Sequence, residues 1–135
     1  WRAGSDYGSY TNCQSYNNNS WNVIGSLYGE YINCSSQNYS FRAELDINGY
    51  FANCTAGDIS FYSNDGSIFS NFNDCKGGVE SFYASNSDIY ATFLRCIGDS
   101  NSFYADGINN GEYYYCMLYD TTFSGGNQEY CLNGL

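Results

Sequence analysis

The chain has 135 residues, enough for one domain, and a formal net charge of −10 with only four basic residues, Arg2, Arg42, Lys76 and Arg95. That balance excludes a nucleic-acid binder, which needs cations to displace condensed counterions, and makes an anionic membrane surface an equally poor partner. No apolar run is long enough to span a bilayer, and 16 Tyr with no Pro and no His favour strands over helices.

No leader pattern is visible, and a start at Trp1 suits a mature form or a segment of a longer protein. In chain order the cysteines are Cys13, Cys34, Cys54, Cys75, Cys96, Cys116 and Cys131, and the first six stand 21, 20, 21, 21 and 20 residues apart. An internal period of this kind marks a stacked-repeat architecture.

The flanks repeat with the cysteines. The first rung carries Gly8, Tyr10 and Cys13, with its Ser20-Trp21 pair one residue late. The second runs Leu27, Gly29, Tyr31, Cys34 and Ser40-Phe41, and the third Ile47, Gly49, Phe51, Cys54 and Ser60-Phe61. The fourth runs Ile68, Ser70, Phe72, Cys75 and Ser81-Phe82, and the fifth Ile89, Ala91, Phe93, Cys96 and Ser102-Phe103. The sixth has Gly111, Tyr113, Cys116 and Thr122-Phe123, with Ile108 one residue early, which reads as a loop adjustment at a corner. Residues 124–135 read as a C-terminal turn.

Aliphatic, small and aromatic residues at alternate positions make a half-buried strand, and Ile89-Tyr90-Ala91-Thr92-Phe93 is the clearest copy. A second alternation recurs as Phe61-Tyr62-Ser63, Phe82-Tyr83-Ala84 and Phe103-Tyr104-Ala105. Each rung therefore holds at least two strands, joined at corners rich in Gly, Asn, Asp and Ser. The expected fold is an all-β, single-stranded parallel β-helix (a β-solenoid), three-faced, of about six rungs spanning the whole chain. One rung cannot bury its inward side chains alone, whereas stacked rungs do so in ladders of like residues. At the usual strand spacing six rungs make a rod roughly 29 Å long. The inward ladders are Leu/Ile, small, aromatic, Cys and Phe.

The pattern resembles the right-handed parallel β-helix superfamily, the pectate-lyase-like fold. The segment Phe72-Asn73-Asp74-Cys75-Lys76-Gly77-Gly78-Val79 is similar to the Phe-x-x-Asn and Gly-Gly-Ala-Ile repeats of polymorphic outer-membrane and surface β-helix proteins. The Gly-Gly motif occurs once in register. The resemblance implies right-handedness, and it admits polysaccharide lyases and hydrolases among the relatives. Those enzymes rely on clustered Asp with Arg, Lys or His, which a chain this poor in cations does not reproduce.

Four groups of residues are candidates for function. The cysteine ladder places successive Cα atoms within disulfide range, so pairs such as Cys13–Cys34 or Cys54–Cys75 can form. The plainer reading is a column of reduced, buried thiols acting as small hydrophobes. Cys131 breaks the period and is open to pairing with Cys116 or to an intermolecular bond. A linear ladder without His suits no metal.

Outward aromatics form two sets: Tyr7, Tyr28, Phe69 and Tyr90 six before a cysteine, and Tyr62, Tyr83 and Tyr104 eight after one. They suit subunit packing, stacking on sugar rings, or simple stabilisation of the sheet face. Asn18, Asn33, Asn38 and Asn53 open N-glycosylation sequons, with Asn33 and Asn53 on one outward corner of adjacent rungs. Asp58 and Glu80 come nearest to a glycosidase pair but do not align. Asp65, Asp88 and Asp106 offer oxygen ligands for calcium, although a solvated corner is the ordinary reading.

No catalytic residue, cofactor or metal is expected. The function expected is a secreted structural protein, a self-associating subunit of an extracellular fibre or filament. A surface adhesin or glycan-binding module is the alternative, and a polysaccharide-degrading enzyme is third. The partner expected is a second copy, or glycans.

Overall fold

The computed structural model describes residues 4–119 and 125–134. Among them every strand is short, every pairing is parallel, and no helix occurs. In chain order the strands are β1 (Ser9–Thr11), β2 (Asn22–Val23), β3 (Glu30–Ile32), β4 (Arg42–Ala43), β5 (Tyr50–Ala52), β6 (Tyr62–Ser63), β7 (Asn71–Asn73) and β8 (Tyr83–Ala84). They continue as β9 (Thr92–Leu94), β10 (Ile97–Gly98), β11 (Tyr104–Ala105), β12 (Glu112–Tyr114), β13 (Met117–Leu118), β14 (Asn127–Glu129) and β15 (Leu132–Asn133).

These strands stack into three sheets. The first runs β1-β3-β5-β7-β9-β12-β14, the second β2-β4-β6-β8-β11 and the third β10-β13-β15. Single bridges extend the faces, in one column through Asp6, Leu27, Ile47, Ile68, Ile89 and Asn109, and in another through Gln14, Ser35, Thr55, Lys76 and Ile97. The chain is a parallel β-solenoid of about six turns, with like residues paired in register, as in Tyr31↔Phe51↔Phe72↔Phe93.

The core consists of the expected ladders. Leu27, Ile47, Ile68 and Ile89 are fully buried, as are the aromatic residues from Tyr31 to Tyr113 and from Phe41 to Phe103. Two aromatic columns fill the interior. In one, Tyr10, Tyr31, Phe51, Phe72, Phe93 and Tyr113 stack with centroids 4.8–5.1 Å apart. In the other, Trp21, Phe41, Phe61, Phe82 and Phe103 stack at 4.7–5.0 Å. Between the columns every contact is edge-to-face, such as Phe72 against Phe82 at 5.2 Å and 81°. Each ring thus meets its column neighbours by its faces and the other column by its edge, an arrangement that suits the aromatic quadrupole.

Left-handed residues turn the corners. Asn12, Asn33, Asn53 and Asp74 have φ between 51° and 54° at the position before a cysteine. Asn and Asp tolerate that region because their short polar side chains bond locally. Trp21, Phe41, Phe61, Phe82 and Phe103 are also left-handed, with φ between 48° and 54°. Bulky side chains adopt this geometry only when packing holds them. The turn breaks strand alternation, so Ser40 and Phe41, neighbours in sequence, are both fully buried.

Two expectations change at the C-terminal end. Ile108 is not absorbed by a corner. It lies outside, 57% exposed, and Asn109 takes the place of the aliphatic column. Asn109 wins because its amide is satisfied there: Oδ1 accepts Tyr113 Oη–H at 2.7 Å and Gly111 N–H at 3.1 Å, and Nδ2 donates to Phe103 O at 2.9 Å. Asp6 caps the other end of the column in the same way, accepting Gly8 N–H and the hydroxyls of Tyr10 and Tyr31. The second change concerns 124–135. Its described residues, 125–134, form a seventh, shortened rung, with β14 on β12 and β15 on β13. Thr122 and Phe123 lie outside the described residues.

Phe72→Ala removes one ring from the middle of a column and should cost about 3–5 kcal/mol of unfolding free energy, read by chemical denaturation. Alkaline pH should unfold the chain. Burial holds the phenols of Tyr31 and Tyr113 above the ordinary tyrosine value of 10.0. The folded state therefore keeps protons that the unfolded state releases. This stability is present below pH 10 and is lost as pH rises through and beyond it. A circular-dichroism titration measures the loss.

Candidate functional site

The cysteine column is a structural ladder of free thiols: no disulfide joins them, so the disulfide reading is not what the fold adopts. Cys34, Cys54, Cys75, Cys96 and Cys116 are buried, and Cys13 and Cys131 are partly exposed. Cys131 does not break the ladder but ends it, because Leu132 N–H bonds Cys116 O at 2.9 Å, as Ser35 N–H bonds Cys13 O. Each thiol has its own partner. The S–H groups of Cys54, Cys75, Cys96, Cys116 and Cys131 reach the carbonyl oxygen of the inward aromatic one rung earlier, at 3.2–3.5 Å. Burial pushes the thiols of Cys34, Cys96 and Cys131 up, which suppresses thiolate chemistry. In the native protein a charged alkylating reagent should label Cys13 and Cys131, and the five buried cysteines only after denaturation. Mass spectrometry of labelled peptides reads this directly.

Two of the corner carboxylates, Asp58 and Asp88, are committed to the backbone of the next rung. Asp58 Oδ1 accepts Val79 N–H at 2.9 Å, and Asp88 Oδ1 accepts Ile108 N–H at 2.6 Å. Gly78 is required here, since a Cβ on it would run into the Asp58 carboxylate. Asp58 and Glu80 therefore belong to different environments, one holding a turn and one facing a groove. Asp65 and Asp106 flank Asn86, whose Nδ2 reaches Asp65 at 3.4 Å and whose backbone N–H reaches Asp106 at 3.1 Å. Among the described residues no three of His, Cys, Asp or Glu converge to hold a metal ion.

The sequon residues divide by environment. Asn18, Asn33 and Asn53 are exposed. Asn33 Nδ2 donates to Asn12 Oδ1 at 3.0 Å across the corner. Asn38 is half-buried, its Oδ1 accepting Asp58 N–H at 2.9 Å, and its partner Ser40 is fully buried.

The outward aromatics form separate sets. Tyr7 stacks on Tyr28 at 4.8 Å, and Phe69 on Tyr90 at 5.5 Å. Asn48 stands between the two pairs in the same column, so there is no continuous platform. Tyr62, Tyr83 and Tyr104 do form one run, on β6, β8 and β11, with centroids 5.2 and 5.3 Å apart. Arg42 extends it, its guanidinium 5.0 Å from the Tyr62 centroid.

A groove of about 380 Å³ runs over this column, lined by Tyr62, Glu80, Tyr83, Asn101, Tyr104 and Asp106. Tyr83 donates its hydroxyl proton to Asp106 Oδ1 at 2.9 Å. Burial, then the adjacent Asp106 carboxylate, raises its phenol above the usual tyrosine range. Each inner ring face is covered by a neighbouring ring, so the groove meets ring edges and hydroxyls. That geometry is poor for sugar stacking, which needs open ring faces, and better for polar contacts.

Sequence reasoning overlooked Asn101 and Asp106 as groove residues. The signal was present but diagonal: Asp106 stands two positions beyond Tyr104, which pairs directly with Tyr83, and diagonal neighbours on a sheet reach one another. A second cavity, of about 510 Å³, opens at the N-terminal rung and includes Asp6, Tyr10, Trp21 and Val23 in its lining. No family model, curated protein or solved structure matches this chain.

Proposed function

We propose that this chain is a secreted structural protein, a non-catalytic β-solenoid that self-associates end to end into an extracellular fibre or filament. The observation that supports this reading most is the state of the terminal rungs. β1 and β2 at one end, and β14 and β15 at the other, each have a single strand partner among the described residues. Among the described residues no strand covers their outer edges, and an uncovered edge is a template for a further strand. A head-to-tail contact of this kind does not close and so generates a filament. Asp6, Asn109 and Gln128 give the interior polar stops near the ends, so the backbone edges, rather than the core, would carry the contact. Exposed sequons at Asn18, Asn33 and Asn53 suit a secreted glycoprotein. The Phe72–Val79 motif supports kinship with the right-handed, pectate-lyase-like superfamily and its surface β-helix proteins.

With a net charge of −10, subunits repel one another, and salt screens that repulsion. Negative-stain microscopy should therefore show filaments that lengthen with protein concentration and ionic strength. Monodisperse short rods under all these conditions would overturn the reading.

A second reading, a surface adhesin or glycan-binding module, is favoured by the groove, where Glu80, Asn101 and Asp106 offer acceptors beside the Tyr62–Tyr104 column. Its ligand would engage hydroxyls and ring edges. An array of neutral and acidic glycans should show binding that Tyr83→Ala removes, and an array without binding discards this reading.

A further inference from the structure

The sixteen tyrosines are not equivalent, and two features distinguish them: a second phenol stacked against the ring, and a carboxylate on the hydroxyl. Tyr7–Tyr28 and Tyr115–Tyr130 are stacked pairs, with centroids 4.8 and 5.0 Å apart, but among the described residues no carboxylate receives their hydroxyls. Tyr90 has the carboxylate, Asp88 at 3.0 Å, but its stacked neighbour is Phe69, which has no hydroxyl. Tyr83 has both. It lies between Tyr62 and Tyr104, at interplanar angles of 29° and 13°, and its hydroxyl proton points to Asp106 Oδ1 at 2.9 Å.

We propose that the Tyr62–Tyr83–Tyr104 column is a site of one-electron oxidation at which adjacent rungs become joined by a carbon–carbon bond between neighbouring phenol rings. Removing an electron from a phenol makes its proton strongly acidic, so a carboxylate already accepting that hydrogen bond takes the proton without rearrangement. Asn86 N–H holds Asp106 Oδ2 at 3.1 Å and keeps Oδ1 on the Tyr83 hydroxyl. Glu80 and Asp106 line the groove above, and their negative charge favours approach of a small cationic oxidant. The raised phenol of Tyr83 means that the neutral, hydrogen-bonded form is the one oxidised.

The step balances as follows. Tyr83 and Tyr104, or Tyr83 and Tyr62, each give one electron to a one-electron oxidant. Tyr83 gives its proton to Asp106 and the partner gives its proton to water. The two phenoxyl radicals combine through ring carbons ortho to oxygen. The hydrogen on each joined carbon then moves to its oxygen, restoring both hydroxyls. Two equivalents of oxidant are reduced for each bond formed. The rings turn from stacked to edge contact about their side-chain torsions, which the open groove permits. The bond lies within one chain, so this site stands whether or not the solenoid polymerises.

The test uses the full chain at low concentration with tris(bipyridyl)ruthenium(II), persulfate and light, a cationic photogenerated oxidant. The expected product is monomeric, shows biphenol fluorescence, and yields a linked peptide pair joining Tyr83 to Tyr62 or Tyr104 as the main linkage. Tyr83→Phe should reduce that linkage to background, and Asp106→Asn should slow its formation several-fold. The Tyr7–Tyr28 and Tyr115–Tyr130 pairs serve as internal references in the same sample, and circular dichroism confirms that each variant is folded. The proposal is overturned if linkages join only different chains, if they spread evenly over all stacked pairs, or if Asp106→Asn reacts at the native rate.

Discussion

Edge-to-face packing between two stacked aromatic columns is the interaction on which the rest of this solenoid depends. The rungs are short and their strands span two or three residues, so no sheet here is stable by length. The rings supply what the strands lack. Phe72 stacks on Phe51 and Phe93 and meets Phe61 and Phe82 by its edge, so one residue ties three rungs together. Such pairs are worth roughly 0.5–1.5 kcal/mol each beyond their buried area. That energy also holds Phe41, Phe61, Phe82 and Phe103 in left-handed backbone that bulky residues otherwise avoid.

The core has no room for a mismatch along its axis, and the fold handles its ends by changing chemistry. Where the aliphatic column stops, Asp6 and Asn109 replace Leu or Ile. The aromatic column responds with tyrosine in place of phenylalanine: Tyr10 and Tyr31 reach Asp6, and Tyr113 reaches Asn109. Between these ends the same column reads Phe51, Phe72 and Phe93. A hydroxyl is present where a polar cap can receive it and absent where only Ile47, Ile68 and Ile89 lie alongside. On the shortened last rung the aromatic column ends at Gln128, the register partner of Tyr113; Gln128 is exposed and donates its amide to Gly125 O at 3.3 Å.

The outer surface follows from the inner one. Register that stacks Phe on Phe inside also stacks Tyr62, Tyr83 and Tyr104 outside. A surface tyrosine ladder is then a by-product of the repeat, and its distinctive chemistry comes from what lies diagonally, above all Asp106. Part of the negative charge along the rod sits on Asp residues that accept backbone N–H groups, among them Asp46, Asp58 and Asp88. Among the described residues only Asp74 meets a cation, in a two-bonded pair with Arg95 at 2.6 Å, which holds its carboxyl below the usual range.

The solenoid itself was legible in the sequence, because stacking at one fixed spacing turns a one-dimensional period into three-dimensional neighbours. The buried ladders from Leu27 to Ile89, from Tyr31 to Tyr113 and from Cys34 to Cys116 follow from that period alone. Where the period slips, the tertiary structure decided. Ile108 or Asn109 was a contest between burying an aliphatic side chain and satisfying the hydroxyl of Tyr113, and only the three-dimensional hydrogen bonds settle it. Cys131 joins the ladder because its rung is short, which spacing cannot distinguish from a break. Whether the outer tyrosines offer faces or edges depends on side-chain torsions, and alternation along a strand reports the side of the sheet but not the angle of the ring.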